Sequence, residues 1–246
     1  MIMKIIRLSL FLLTISVSSY AQWAIPPQMR AANTLDNLAQ NGLNQSDLLY
    51  GLPMEPGKVV GDSYITKEWN VATIMLADSE KIIEGYPVRY DIKAAVLEIK
   101  SKNGIKVLNS KSIKSLVWLD SLQLPHYFIN AGSFKEDGVT QSGLVEILVD
   151  GEITLLNKYS VEIIKPNYNI AMGSGSKDTK VIARSTFYCA KAGELTKIKS
   201  KSDVLKVSGS HSTAISKLIS DKGLKVKNQV DLIEIFTNLN SLINPN

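Results

Sequence analysis

Histidine and cysteine, the side chains that most readily serve as bases, nucleophiles and metal ligands near neutral pH, are scarce in this chain of 246 residues. His126, His211 and Cys189 are the full set. A structural zinc site asks for four ligands at characteristic spacing, and neither histidine has a partner at i, i+4 or within a Cys/His cluster. Ser210-His211-Ser212 sets hydroxyls beside an imidazole. A hydrolase triad is a spatial arrangement, however, and neither Gly-x-Ser-x-Gly nor Ser-x-x-Lys stands in a matching strand-turn-helix context. These residues read as a helix start, with Ser210 or Ser212 as its cap. Gly173-Ser174-Gly175-Ser176-Lys177 lacks the P-loop spacing and reads as an exposed loop. Cys189, in Phe187-Tyr188-Cys189-Ala190, reads as a buried, inert strand residue.

Charged residues offer two further groups. Glu84, Asp91 and Glu98 lie among Arg89, Lys93 and Lys100, which on a half-exposed sheet makes them cross-strand partners rather than a ligand clamp. Arg89 and Asp91, two apart, share a strand face that Tyr90 does not. Lys197, Lys199 and Lys201 alternate with Thr196, Ile198 and Ser200. As a strand they line one face, suited to solvent or to an anionic surface. They are the candidate contact residues of this chain. No catalytic, cofactor-binding or metal site is assigned, and no motif calls for a cofactor.

The elements that position these residues are legible from hydrophobic period and turn chemistry. Short β-branched runs separated by turn residues fill Val59 to Ile198, as in an antiparallel sheet. Ala72–Leu76 and Lys81–Ile92 flank Asp78-Ser79-Glu80. Val96–Lys100 and Ile105–Leu108 flank Asn103-Gly104, and Leu144–Val149 and Ile153–Asn157 flank Asp150-Gly151. Both glycine dipeptides fit tight type I′ hairpin turns. Further runs are Ile113–Leu119, Val161–Ile164, Val181–Ala183 and a hairpin across Gly193, about ten strands in all by period-two reading. Then the period changes. Ile215, Leu218 and Ile219 share a helical face that stops at Gly223; Leu232, Phe236, Leu239 and Ile243 share another after an Asn228 cap. The expected fold is mainly β: an antiparallel meander sheet or sandwich, two short C-terminal helices covering a sheet face or edge, and a short N-terminal helix through Met29, Ala32, Leu35 and Leu38. Trp23, Trp69 and Trp118 are too dispersed for a sugar-stacking platform and read as core or groove residues.

Lys4 and Arg7, the apolar run Leu8–Val17 and the small residues before Gln22 read as a secretory signal peptide cleaved after Ala21. Ten apolar residues of helix rise about 15 Å, half of the roughly 30 Å of bilayer hydrocarbon. The organisation is therefore signal peptide 1–21, N-terminal segment 22–57, β domain 58–201 and helical appendage 202–246. Loss of Lys4 and Arg7 lowers the formal charge from +5 to +3. Residues 177–227 hold twelve Lys or Arg against Asp178, Glu194, Asp203 and Asp221. Export takes nucleic acid off the list of partners for this basic segment and leaves anionic lipid, acidic glycan or an envelope protein.

Gly85-Tyr86-Pro87-Val88-Arg89-Tyr90-Asp91-Ile92, Leu97-Glu98-Ile99-Lys100, the hairpin through Asp150-Gly151 to Leu155-Leu156, and Lys165-Pro166-Asn167-Tyr168-Asn169 resemble blocks of an uncharacterised family of exported β-rich proteins common in Bacteroidota. The resemblance implies an exported, all-β protein and carries no activity, cofactor or site residue. The resulting expectation is a non-enzymatic binding or structural module of the periplasm or cell exterior. Two alternatives stay open: a carrier of lipid or another apolar ligand, and an exported hydrolase using His126 or His211.

Overall fold

The computed structural model describes residues 57–169 and 172–244. The expected signal peptide, N-terminal helix and Trp23 lie outside the described residues. Among the described residues thirteen strands form one sheet: β1 (Val59–Gly61), β2 (Asn70–Leu76), β3 (Ile82–Asp91), β4 (Val96–Ser101), β5 (Gly104–Asn109), β6 (Ile113–Leu119), β7 (Pro125–Asn130), β8 (Lys135–Glu136), β9 (Val139–Thr140), β10 (Leu144–Val149), β11 (Thr154–Ile164), β12 (Thr179–Lys191) and β13 (Glu194–Lys197). The helices α1 (Lys201–Ser208), α2 (Ser212–Lys222) and α3 (Gln229–Ile243) follow. The chain is mainly β, as its period predicts, and forms one sheet rather than a sandwich. The ladder runs β5-β4-β3-β2-β6-β7-β10-β11-β12-β13-β8-β9, with β1 beside β12. Pairing is antiparallel except at β1–β12 and β13–β8.

Chain length forces this sheet to curl. Between β5 and β6 the ladder places three other strands, a lateral distance of about 19 Å in a flat sheet at roughly 4.8 Å per strand. Ser110–Ser112 alone connect them, and the four steps from Asn109 to Ile113 reach at most about 14 Å. The first half of the sheet therefore wraps around its own inner face. Ile74, Val88, Leu97, Ile113, Leu116 and Phe128 are packed there, and the Tyr90 hydroxyl on β3 accepts the Leu144 N–H of β10 at 3.3 Å, although three strands separate these two in the ladder.

The second half is buried on both faces. Leu155 and Cys189 face Ile215, Ile219, Leu232, Ile235, Phe236 and Leu239 of the helices, while Val145, Leu156, Tyr188, Ala190 and Leu195 pack with Ala131 on the reverse side. Helices this short need such a platform. Asn240 of α3 fastens one helix to the sheet: its amide donates to the Ile153 carbonyl at 2.9 Å and accepts the Ile153 N–H at 3.1 Å.

Local differences from the sequence reading have identifiable causes. The Asn103-Gly104 hairpin forms, but Lys102 and Asn103 occupy the turn and only Gly104 takes positive φ, so it is not type I′. Likewise the link from β10 to β11 is a four-residue loop, Asp150 to Ile153, whose backbone Asn240 clamps. Val161–Ile164 is the end of the eleven-residue β11, and Val181–Ala183 lies in the thirteen-residue β12. Gly223 ends α2 in the left-handed region and Asn228 caps α3, both as expected. Neither Ser210 nor Ser212 makes a side-chain cap at α2, which follows α1 through a 3-10 turn at Gly209–His211. The helical cap is Ser200, whose hydroxyl and Asp203 form a capping box at α1. Among the described residues no helix is long and apolar enough to cross a membrane.

Candidate functional site

Lys197, Lys199 and Lys201 do not form one strand face. β13 ends at Lys197, Lys199 lies in the connection, and Lys201 is the first residue of α1. The alternation is nonetheless real up to Ser200, which is still extended. Ile198, 5% exposed, turns into the helix-covered core and leaves the lysines on either side facing out. The Ser200–Asp203 box then starts the helix abruptly. Asp203 accepts the backbone N–H groups of Lys199 and Ser200 at 3.0 and 2.9 Å, and these bonds hold its carboxyl below the usual range.

Two adjoining cavities open where this corner meets the α2–α3 connection. One, of about 300 Å³, is lined by Thr186, Phe187, Lys197, Lys199, Val226 and Lys227 among others. The other, of about 580 Å³, is lined by Lys199, Lys201, Leu224, Lys225, Val226 and Lys227 among others. They share Lys199, Val226 and Lys227; Lys199, Lys201, Lys225 and Lys227 line the second, while Lys197 lines only the first. Among the described residues no carboxylate lines either cavity. Among the described residues none of these five ammonium groups joins an ion pair; the lysines so engaged are Lys67, Lys114 and Lys222. Lys201 Nζ reaches the Ser220 hydroxyl at 3.2 Å, and Lys197 Nζ sits 5.9 Å from the centroid of the Tyr188 ring. Asp231, the carboxylate beside Lys225, accepts that residue's N–H at 2.8 Å. Lys199, Lys201, Lys225 and Lys227, with apolar Leu224 and Val226 between them, line one cavity that can hold phosphate, sulfate or carboxylate oxygens.

A second polar assembly was not visible from residue spacing. Glu146 of β10 is 2% exposed and accepts from His126 Nδ1 at 2.6 Å, the Tyr159 hydroxyl at 2.8 Å and Asn157 Nδ2 at 3.2 Å. Ser185 in turn donates to the Asn157 carbonyl oxygen. Burial, then the Glu146 charge, pushes the Tyr159 hydroxyl far above its ordinary pKa. The available signal was a lone Glu in the run Leu144–Val149, sharing the inward face of Leu144. The other ring nitrogen of His126 lies 3.5 Å from Asp120, so each nitrogen faces a carboxylate and, among the described residues, neither contacts a hydroxyl. His211 closes the 3-10 turn before α2.

Arg89 pairs with Glu98 directly across the β3–β4 ladder at 2.7 Å, as the charge pattern predicted. Its guanidinium lies between the Tyr64 and Trp69 rings, 4.1 and 4.5 Å from their centroids. Trp118 is core. Cys189 is buried, which pushes its thiol up to about 11. The Gly173–Lys177 stretch lies in a loop closed by mutual Asn169 and Ser174 backbone bonds. Comparison of the chain with family models, with curated proteins and with solved structures finds no match in any of the three.

Proposed function

We propose that this chain is an exported, non-enzymatic module of the cell envelope that binds an anionic envelope component through the lysine groove. The supporting observation is a single cavity lined by Lys199, Lys201, Lys225 and Lys227, with no carboxylate on it among the described residues. Like charges gathered on one corner repel one another and raise local potential, a cost that an anionic ligand offsets. Export, read from the N-terminus, makes anionic lipid headgroups and acidic glycans the available chemistry and sets nucleic acid aside.

The test is co-sedimentation of the purified chain with anionic vesicles, zwitterionic vesicles and an insoluble acidic glycan at low and high salt. Binding to an anionic partner that falls with salt and is lost in Lys199→Glu/Lys225→Glu/Lys227→Glu supports the reading. Absence of binding to every anionic partner, or equal binding by the triple variant, rejects it.

A further inference from the structure

The two nitrogens of the His126 ring face carboxylates at very different distances. Nδ1 stands 2.6 Å from Glu146 Oε1, whereas Nε2 stands 3.5 Å from Asp120 Oδ2. A proton shared between a charged nitrogen and oxygen holds them at about 2.7–2.9 Å. The first contact suits a proton; the second is too long for a good one. A zinc-like ion bound tetrahedrally at about 2.0–2.1 Å from each donor separates the two donors by roughly 3.4 Å. The second contact has that span.

Both donors are also fixed from behind. Asp120 Oδ1 accepts the N–H groups of Leu122 and Leu124, each at 2.8 Å, which turns Oδ2 toward the histidine. Glu146 is itself held by Asn157 and Tyr159 and orients the ring through Nδ1. This is the carboxylate–histidine arrangement that sets tautomer and direction in metal sites. The side chains of His126 and Asp120 are 32% and 29% exposed, so an ion can reach them from solvent. Two further histidine, cysteine or carboxylate ligands are not at hand, since no group of three or more such side chains suited to a metal occurs among the described residues.

We propose that His126 Nε2 and Asp120 Oδ2 form a two-residue site for a borderline divalent cation such as zinc or copper(II), with Glu146 as the positioning carboxylate and water in the remaining positions. An imidazole–carboxylate pair favours these ions over calcium or magnesium, which prefer all-oxygen shells. The site is separate from the lysine groove and stands without the function proposed for it. Metal enters at Nε2 while the Nδ1 proton stays on the Glu146 bond. With two protein ligands the affinity is modest and the ion exchangeable.

Isothermal titration of zinc chloride into the purified, metal-stripped chain tests this, with His211→Ala as the control. The expected result is a single zinc-specific site, unchanged in His211→Ala and not competed by magnesium. His126→Ala and Asp120→Asn should each weaken it at least tenfold, and Glu146→Gln by roughly tenfold. Nitrogen-15 spectra of wild-type protein give a readout that does not depend on variants folding: zinc should shift His126 Nε2 and leave Nδ1 protonated. No one-site binding, binding unaltered by His126→Ala, or an unperturbed His126 Nε2 signal at saturating zinc would overturn the assignment.

Discussion

Replacing Glu146 with alanine removes the one acceptor that His126, Asn157 and Tyr159 share. His126 is a third exposed, so water can satisfy its ring nitrogen. Asn157 is 1% exposed and the Tyr159 hydroxyl is pushed up chiefly by burial, so their donors are left without a partner. Each orphaned buried donor costs about 1–3 kcal/mol. Relief of the desolvation of the Glu146 charge offsets part of that, which leaves a net loss of about 3 kcal/mol. For a unit of this size such a loss lowers Tm by roughly 6–12 °C. Urea and thermal unfolding measure it.

The sharper test is a sign reversal. In the wild type, Tyr159→Phe deletes a hydrogen bond to a carboxylate and should cost about 1.5–3 kcal/mol. In the Glu146→Ala background the same change deletes an orphaned donor and should recover about 1 kcal/mol. That non-additivity is expected only of groups in one network. If Tyr159→Phe destabilises both backgrounds equally, Glu146 is not the hub of this network and the reasoning fails.

Other expectations follow from single contacts. Asn240→Ala leaves both polar groups of the Ile153 backbone without their helix partner and should cost about 1–3 kcal/mol, with faster amide exchange at Ile153 before any change in the first half of the sheet. The hydroxyls of Tyr159 and Tyr188 and the Cys189 thiol are all raised by burial, Tyr188 to about 12 and Cys189 to about 11. A group that loses its proton less readily when folded stabilises the fold fully below its unfolded pKa, and that stability is lost as pH rises toward the folded value. Unfolding free energy should therefore fall from about pH 9 upward, and a flat profile to pH 11 would contradict the burial of these groups. Cys189 should react with a thiol reagent at neutral pH only as fast as the chain opens, reaching its full rate in denaturant.

The sequence makes the sheet legible wherever one face is apolar and the other polar. Ala72 and Ile74 are buried while Val71 and Thr73 are exposed or half-covered, and that alternation marks β2 without further help. It fails in the middle of β12, where Ala183, Arg184 and Ser185 are exposed in succession because, among the described residues, no core packs on either face of this stretch, which β11 holds through the ladder. The two-residue strands β8 and β9 carry too few residues for any period. Turn dipeptides located hairpins correctly but not their geometry, since Asn240, 87 residues from Ile153, decides the path of the Asp150 loop. The lysine groove was half visible. Lys199 and Lys201 stand in the alternation, yet Lys225 and Lys227 join them only because α2 and α3 fold back over the sheet, and Lys197 turns to Tyr188 instead. Ser200-x-x-Asp203 was a readable capping box obscured by the lysine pattern around it.

The position of the Glu146 network bears on how the sheet finds its register. Leu144 belongs to the core of the curled half and Leu148 to the helix-covered core, with Glu146 between them on β10. On β11, Asn157 likewise stands between Leu155 of the helix-covered core and Tyr159 of the curled half. A slip of one residue would turn apolar side chains outward, but a slip of two keeps every inward side chain inward. Hydrophobic pattern alone therefore does not forbid it. The native register sets Glu146 opposite Asn157, and a two-residue slip sets the carboxylate opposite Leu155 or Tyr159 instead, leaving Asn157 without it. Replacing Glu146, Asn157 and Tyr159 together by Met, Leu and Phe should thus recover most of the stability lost in Glu146→Ala, while giving broadened or doubled amide resonances in β10 and β11. A triple variant with one sharp set of resonances would show that packing alone fixes this register.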